Sequence, residues 1–112
     1  MTISEALGRV DTLKPNRYTR TDKLRWLTEV DAAAARVLGL PAPAYGADDE
    51  AALLLPTPYD SAYLRYMEAQ IDYHDGVTAG YHTAMERYKK AFAAFRAERQ
   101  RTHVPQRGGV FL

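Results

Sequence analysis

The chain has 112 residues, no cysteine, a hydrophobic fraction of 46% and a formal charge of +1. That length fits one domain with a modest core, burying roughly 65% of the surface that the unfolded chain exposes. The composition excludes a disulfide framework, a thiolate metal site and a bulk attraction to nucleic acid or anionic membrane. No apolar run approaches the ~20 residues needed to cross a bilayer, and Glu5 and Arg9 interrupt any N-terminal signal pattern, so a soluble chain is expected.

Thr2 or Ser4 can cap a first helix, with Glu5 favourable in its first turn. Ile3, Leu7 and Val10 fall at helical spacing, a row that Leu13 can extend, and Pro15 ends the segment. Lys14-Pro15-Asn16-Arg17-Tyr18 reads as a turn or extended link. A second helix is expected from Thr21 or Asp22, with Leu27, Val30, Ala34 and Val37 or Leu38 on one face and Trp26 and Ala33 broadening it. Gly39 and Pro41 stop it. Residues 39–58 are irregular, with an acidic patch at Asp48-Asp49-Glu50. Leu53-Leu54-Leu55 is either strand-like or a helical turn, buried on its own bundle or against a neighbour.

A third helix is expected from Pro58 or Tyr59, because proline suits the first helical position. Tyr59, Tyr66 and Tyr73 recur every seven residues, and Tyr63, Met67 and Ile71 recur every four beside them. Asp75-Gly76 supplies a left-handed cap. The fourth helix is expected from Val77 to Arg101, about 37 Å long at 1.5 Å per residue. Tyr81, Tyr88 and Phe95 again recur every seven, with Met85 and Phe92 adjacent; Gly80 weakens the first turn. The short connection makes the two helices antiparallel neighbours. Their shared core is expected to hold Tyr59, Tyr63, Tyr66, Met67, Ile71, Tyr81, Met85, Tyr88, Phe92 and Phe95. Pro105 ends the helix, and Val110-Phe111-Leu112 after Gly108-Gly109 is either a disordered terminus or a segment that orders in a partner's groove. The expected fold is all-α: a small bundle of about four helices over residues 1–101, with a long antiparallel C-terminal hairpin, followed by an extended tail over 102–112.

Charge is unevenly spread. Seven acids lie between Gly46 and Asp75 (Asp48, Asp49, Glu50, Asp60, Glu68, Asp72, Asp75) against Arg65 alone. Seven bases lie between Glu86 and Arg107 (Arg87, Lys89, Lys90, Arg96, Arg99, Arg101, Arg107) against Glu86 and Glu98. Such contrast can steer head-to-tail association of identical copies, or can be satisfied within one monomer.

No catalytic residue, cofactor or metal site is assigned. His74, His82 and His103 lack a His or Glu partner at the spacing of metal-binding helices. Ser4 and Ser61 read as helix-start residues rather than nucleophiles, and there is no phosphate loop or dinucleotide fingerprint. The basic residues of the fourth helix allow weak phosphate contact, but the tyrosines beside them should face the core rather than stack on bases.

Several segments, taken in order, resemble the small head–tail connector (adaptor) proteins of tailed bacteriophages and prophages. They are Val10-Asp11-Thr12-Leu13-Lys14-Pro15-Asn16, Lys23-Leu24-Arg25-Trp26-Leu27-Thr28-Glu29-Val30-Asp31, Leu54-Leu55-Pro56-Thr57-Pro58-Tyr59-Asp60, Tyr63-Leu64-Arg65-Tyr66-Met67-Glu68, Ile71-Asp72-Tyr73 and Arg101-Thr102-His103-Val104-Pro105. The resemblance spans most of the chain except the 39–52 loop; Tyr73-His74-Asp75-Gly76 departs from the family's more polar Asn-Gly-type turn. It implies a non-enzymatic virion protein of the neck, made in the host cytoplasm. Copies would form a dodecameric ring on the portal protein, extending the DNA channel and offering a platform to the stopper or tail-completion protein. Genomic DNA would pass without sequence-specific binding, and no membrane is involved. The resemblance further implies that the C-terminal segment docks on the portal, here Arg101, Thr102, His103, Val104, Pro105, Arg107, Val110, Phe111 and Leu112, with Phe111 as anchor. The alternative is a small helical DNA-binding or packaging accessory protein using the basic half of the last helix.

Overall fold

A computed structural model describes the backbone of residues 1–46 and 50–110 and the side chains of 1–46 and 50–102. Four helices follow in order, α1 (Ile3–Leu13), α2 (Arg20–Leu38), α3 (Ser61–Asp75) and α4 (Thr78–Val110), so the fold is the all-α bundle expected. No strand occurs among the described residues; one isolated bridge pairs Thr2 with Ala52.

The helix ends follow local chemistry. The Thr2 hydroxyl accepts from the Glu5 N–H at 3.2 Å while the Thr2 N–H donates to the Glu5 carboxylate at 3.0 Å, closing a capping box. These bonds from Thr2 also hold the Glu5 carboxyl below its ordinary value. α2 starts at Arg20 rather than at Thr21 or Asp22, because Thr19 accepts from the Asp22 N–H at 3.1 Å and takes the cap position. α3 starts at Ser61, later than expected. The Tyr59 and Asp60 N–H groups both donate to Pro56 O, at 2.8 and 3.1 Å, so Tyr59 lies in a turn before the helix. At the other end of α3, Gly76 adopts φ 77°. The Val77 N–H then reaches Asp72 O (2.8 Å) and the Gly76 N–H reaches Tyr73 O (3.2 Å), the two bonds of a Schellman motif.

α4 corrects the expected C-terminal boundary. Its helical backbone runs through Val110, where an extended tail was expected from Thr102. Pro105 withholds one N–H and biases Val104 away from helical geometry, but neither effect forbids a helix that continues past the proline.

α1, α2, α3, α4 and the connecting segment all contribute to one core. Ile3, Ala6, Leu7 and Val10 come from α1, Leu24, Trp26, Leu27, Val30 and Ala34 from α2, Tyr63, Met67 and Ile71 from α3, and Phe92 and Phe95 from α4. Leu13 is 56% exposed and does not extend the α1 row. Leu53 and Leu55 are buried in the same cluster, and the Leu53 N–H donates to Met1 O at 2.9 Å. Leu53–Leu55 therefore lie on their own bundle, after the isolated bridge at Ala52 and through a bend at Leu54 and Leu55, before the turn that begins at Thr57.

This connecting segment is fastened at Asp31, which is fully buried on α2. Its carboxylate accepts from the Tyr45 and Tyr63 hydroxyls and, at 3.2 Å, from the Leu54 N–H. The Tyr63 hydroxyl in turn accepts from the Leu55 N–H at 2.7 Å. Burial raises the Asp31 carboxyl above its ordinary value, against the three donors, which lower it. Burial and the neighbouring Asp31 charge also push the Tyr63 phenol well up.

Candidate functional site

The two seven-residue repeats meet rung by rung. Tyr73 faces Tyr81 with ring centroids 5.4 Å apart, Tyr66 faces Tyr88 at 4.9 Å, and Tyr59 faces Phe95 at 6.0 Å. Each step of seven residues from Tyr59, in the turn before α3, through Tyr66 to Tyr73 thus meets a step of seven back along α4, which fixes the antiparallel register. Aromatic pairs of this kind contribute about 0.5–1.5 kcal/mol each beyond their buried area.

The ten hairpin residues divide by depth. Tyr63, Met67, Ile71, Phe92 and Phe95 are buried, while Tyr59, Tyr66, Tyr81, Met85 and Tyr88 are half-buried at the rim of the helix contact. The Tyr66 hydroxyl donates to Glu29 at 2.7 Å, tying α3 to α2. Burial, then the Glu29 contact, raises the Tyr66 phenol. Burial also raises that of Tyr88, while the charges of Arg96 and Arg36 act in the opposite direction.

At the turn end, Lys14 Nζ lies 2.8 Å from the buried Asp72 carboxylate, and the Tyr18 hydroxyl donates to Asp75 at 2.5 Å. The α1–α2 link is thereby pinned to the α3–α4 turn. His74 packs on Tyr18 of this link, with ring centroids 6.0 Å apart, and on Trp26 of α2, its ring 15° from the indole plane with centroids 6.0 Å apart. His82 contacts Tyr81. No group of three or more potential metal-ligating side chains converges among the described residues.

At the opposite end, Phe95 is the last buried residue among those whose side chains are described, and the Tyr59–Phe95 rung is the last rung. From Arg96 to Val110 α4 continues for fifteen residues, about 22 Å at 1.5 Å per residue. Arg101 is exposed and pairs with Glu98, and the Thr102 hydroxyl donates to Arg99 O at 2.9 Å. His103, Val104, Pro105, Arg107 and Val110 have helical backbone, but their side chains lie outside the described residues, as do Phe111 and Leu112 altogether.

The structure assigns partners that the sequence left open. Glu50 meets Ser4 and Arg20, Asp60 accepts from Thr57 at 3.0 Å, and Glu68 pairs with Arg65 at 2.7 Å. With Asp72 on Lys14 and Asp75 on Tyr18, these acids are engaged away from the bases of α4. Asp48 and Asp49 lie outside the described residues. Sequence reading missed Asp31 and Arg36. Asp31 could have been found as a carboxylate inside the apolar arc of Leu27, Val30 and Ala34, whereas Arg36 becomes informative only when α2 is placed beside α4.

No protein-family model matches the chain, and no curated protein or solved structure matches it either. No helix among the described residues is long and apolar enough to cross a membrane.

Proposed function

We propose that this chain is a non-enzymatic structural protein of the tailed-phage virion, a head–tail connector of the neck. Copies form a dodecameric ring on the portal protein, extend the DNA channel and offer the stopper or tail-completion protein its platform. The observation that supports this best is the braced hairpin followed by about 22 Å of α4 beyond its last rung. Such a projection gives each subunit a lever with which to engage a larger assembly, and it carries the segment Arg101–Val110 away from the subunit's own core. The order of the connector-like segments along the chain supports the same reading.

The test is deletion of Val104–Leu112. No described core side chain lies beyond Phe95, so the shortened protein should keep its thermal midpoint and lose association with purified portal rings. Retained portal binding by the truncated protein would refute the assignment. Free protein is expected to be monomeric or weakly associated, with the ring assembling on the portal. A stable dodecamer in light scattering at roughly micromolar concentration, where the entropic cost of association must already be met, would contradict that order of events.

A further inference from the structure

Among the described bases of α4, Arg101 alone has an ion-pair partner. Glu98 pairs with Arg101, and among the described residues no ion pair engages Lys89, Lys90 or Arg96, all of which are exposed. Lys89 and Arg96 are seven residues apart and share one helix face, about 10 Å apart along the axis. The Arg96 guanidinium lies over the Phe92 ring at 5.3 Å, which restricts its position without a carboxylate. Arg36, exposed on the last turn of α2, adds a cation from a helix that packs against α4; its charge, that of Arg96 and the opposing charge of Glu29 all act on the Tyr88 phenol, and the Glu29 carboxylate accepts from the Tyr66 hydroxyl at 2.7 Å.

We infer that Arg36, Lys89 and Arg96 form a contact surface for the sugar-phosphate backbone of duplex DNA, without reading its sequence. Three considerations select this occupant. Ala93, Ala94 and Ala97, the exposed small residues of this part of α4, offer no large apolar anchor, whereas a protein partner of any strength needs one at its centre. The nearby rings of Tyr88, Phe92 and Phe95 are turned into the hairpin, so unpaired bases have nothing to stack on. What remains is a convex rod bearing cations, which suits phosphates and gives no base discrimination. The inference takes from the connector reading only the setting in which DNA is met, and the contact itself is measured on the isolated chain.

The experiment is fluorescence anisotropy of a labelled random-sequence duplex titrated with the full chain at several salt concentrations. Three phosphate contacts give a slope of about −2.7 in log affinity against log salt, so affinity should fall about fortyfold between about 50 and 200 mM salt. The combined variant Arg36→Gln, Lys89→Gln, Arg96→Gln should bind at least tenfold more weakly with a slope near zero, while circular dichroism and thermal midpoint stay those of the parent. Arg36→Lys with Arg96→Lys should retain the slope, because the phosphate contact needs charge, and Arg9→Gln with Arg17→Gln should change nothing. Absence of duplex binding at about 50 mM salt, an unaltered triple variant, or tighter binding of single strands would overturn the inference. So would displacement of DNA by polyglutamate at equal charge concentration, which would assign the surface to an acidic protein. The Val104–Leu112 deletion keeps all three residues and should still bind duplex, so failure here and failure of portal docking are read separately.

Discussion

Replacing Gly80 with alanine would put a methyl group where the Asp72 carboxylate lies. A Cβ built on Gly80 would sit 2.3 Å from Asp72 Oδ2 and 2.9 Å from Asp72 Cγ. Asp72 has little room to retreat, because it is 3% exposed and its other oxygen is held by Lys14 Nζ at 2.8 Å. Helix propensity alone favours alanine by at most about 1 kcal/mol, and less in a first turn. Disrupting one partner of a buried pair costs about 3–5 kcal/mol; the partial exposure of Lys14 and a partial shift of the carboxylate reduce that to roughly 2–3 kcal/mol. The net expectation for Gly80→Ala is destabilisation by about 1–2 kcal/mol, a fall in thermal midpoint of roughly 4–10 °C for a domain of this size. Urea and thermal unfolding of the parent, Gly80→Ala, Asp72→Ala and the double variant form a complete cycle. In the Asp72→Ala background the obstacle is gone, so Gly80→Ala should instead stabilise by up to about 1 kcal/mol, a coupling of about 2–3 kcal/mol between the two positions. A higher midpoint for Gly80→Ala in the parent background would show that propensity wins and that the close approach of Asp72 to α4 does not constrain the fold.

Asp31→Ala strands the Tyr45 and Tyr63 hydroxyls and the Leu54 N–H, and should cost at least about 3 kcal/mol in urea unfolding. Tyr45→Phe, which removes one donor from that carboxylate, should cost about 1 kcal/mol. Because burial raises the Asp31 carboxyl above its ordinary value of 3.8, the folded state holds that proton more tightly than the unfolded chain. Its contribution is therefore complete below that value and is lost as pH rises through the raised one, so the stability difference between the parent and Asp31→Asn should shift against the parent across that window. The raised phenols of Tyr63, Tyr66 and Tyr88 carry the same sign above their ordinary value of 10. In a spectrophotometric titration their phenolate absorbance should appear only with alkaline unfolding, and early ionisation of all tyrosines would contradict their placement in the hairpin.

The elements set by short-range chemistry were legible in the sequence. The left-handed cap at Gly76 and the seven-residue spacing of tyrosines follow from rules that act within a few turns, and both hold in the fold. Gly80 shows where such rules stop. Alone in the sequence it reads as a weak helix start, and only the position of Asp72 across the turn reveals the close approach that glycine permits. Lys23 is similar: a lysine on an amphipathic helix reads as solvated, yet it is buried because Asp11 on α1 receives its ammonium at 2.6 Å. Pro105 is the opposite case, because its bias against helical geometry does not end α4, whose backbone stays helical to Val110. The tail assignment falls largely on side chains from His103 onward, outside the described residues, and rests on the resemblance.

The charge contrast along the chain suggested two surfaces that attract between copies, but the described acids have partners within their own subunit. In the proposed ring, association of identical copies would then draw on apolar surface, and its location matters. Of the exposed large hydrophobic residues, Leu13 (56%) ends α1, Tyr73 (62%) is in the last turn of α3 and Val77 (49%) is in the α3–α4 turn, while Leu40 (51%) follows α2. The Lys14–Asp72 and Tyr18–Asp75 contacts bind the α1–α2 link to the last turn of α3. The projecting part of α4, with Arg96, Arg99 and Arg101, lies at the other end of the hairpin, past the Tyr59–Phe95 rung, and Lys89 and Lys90 lie just before it. Between the two ends stands α3, fifteen residues or about 22 Å of helix packed on α4 through the Tyr66–Tyr88 and Tyr73–Tyr81 rungs, with the Tyr59–Phe95 rung added from the turn that precedes it. A load on one end is thus transmitted to the other through packed rings rather than through a loop. Exposed apolar side chains near one end, cations toward the other and packed aromatic rungs between them are features that the proposed connector would use to hold two different assemblies at a fixed separation.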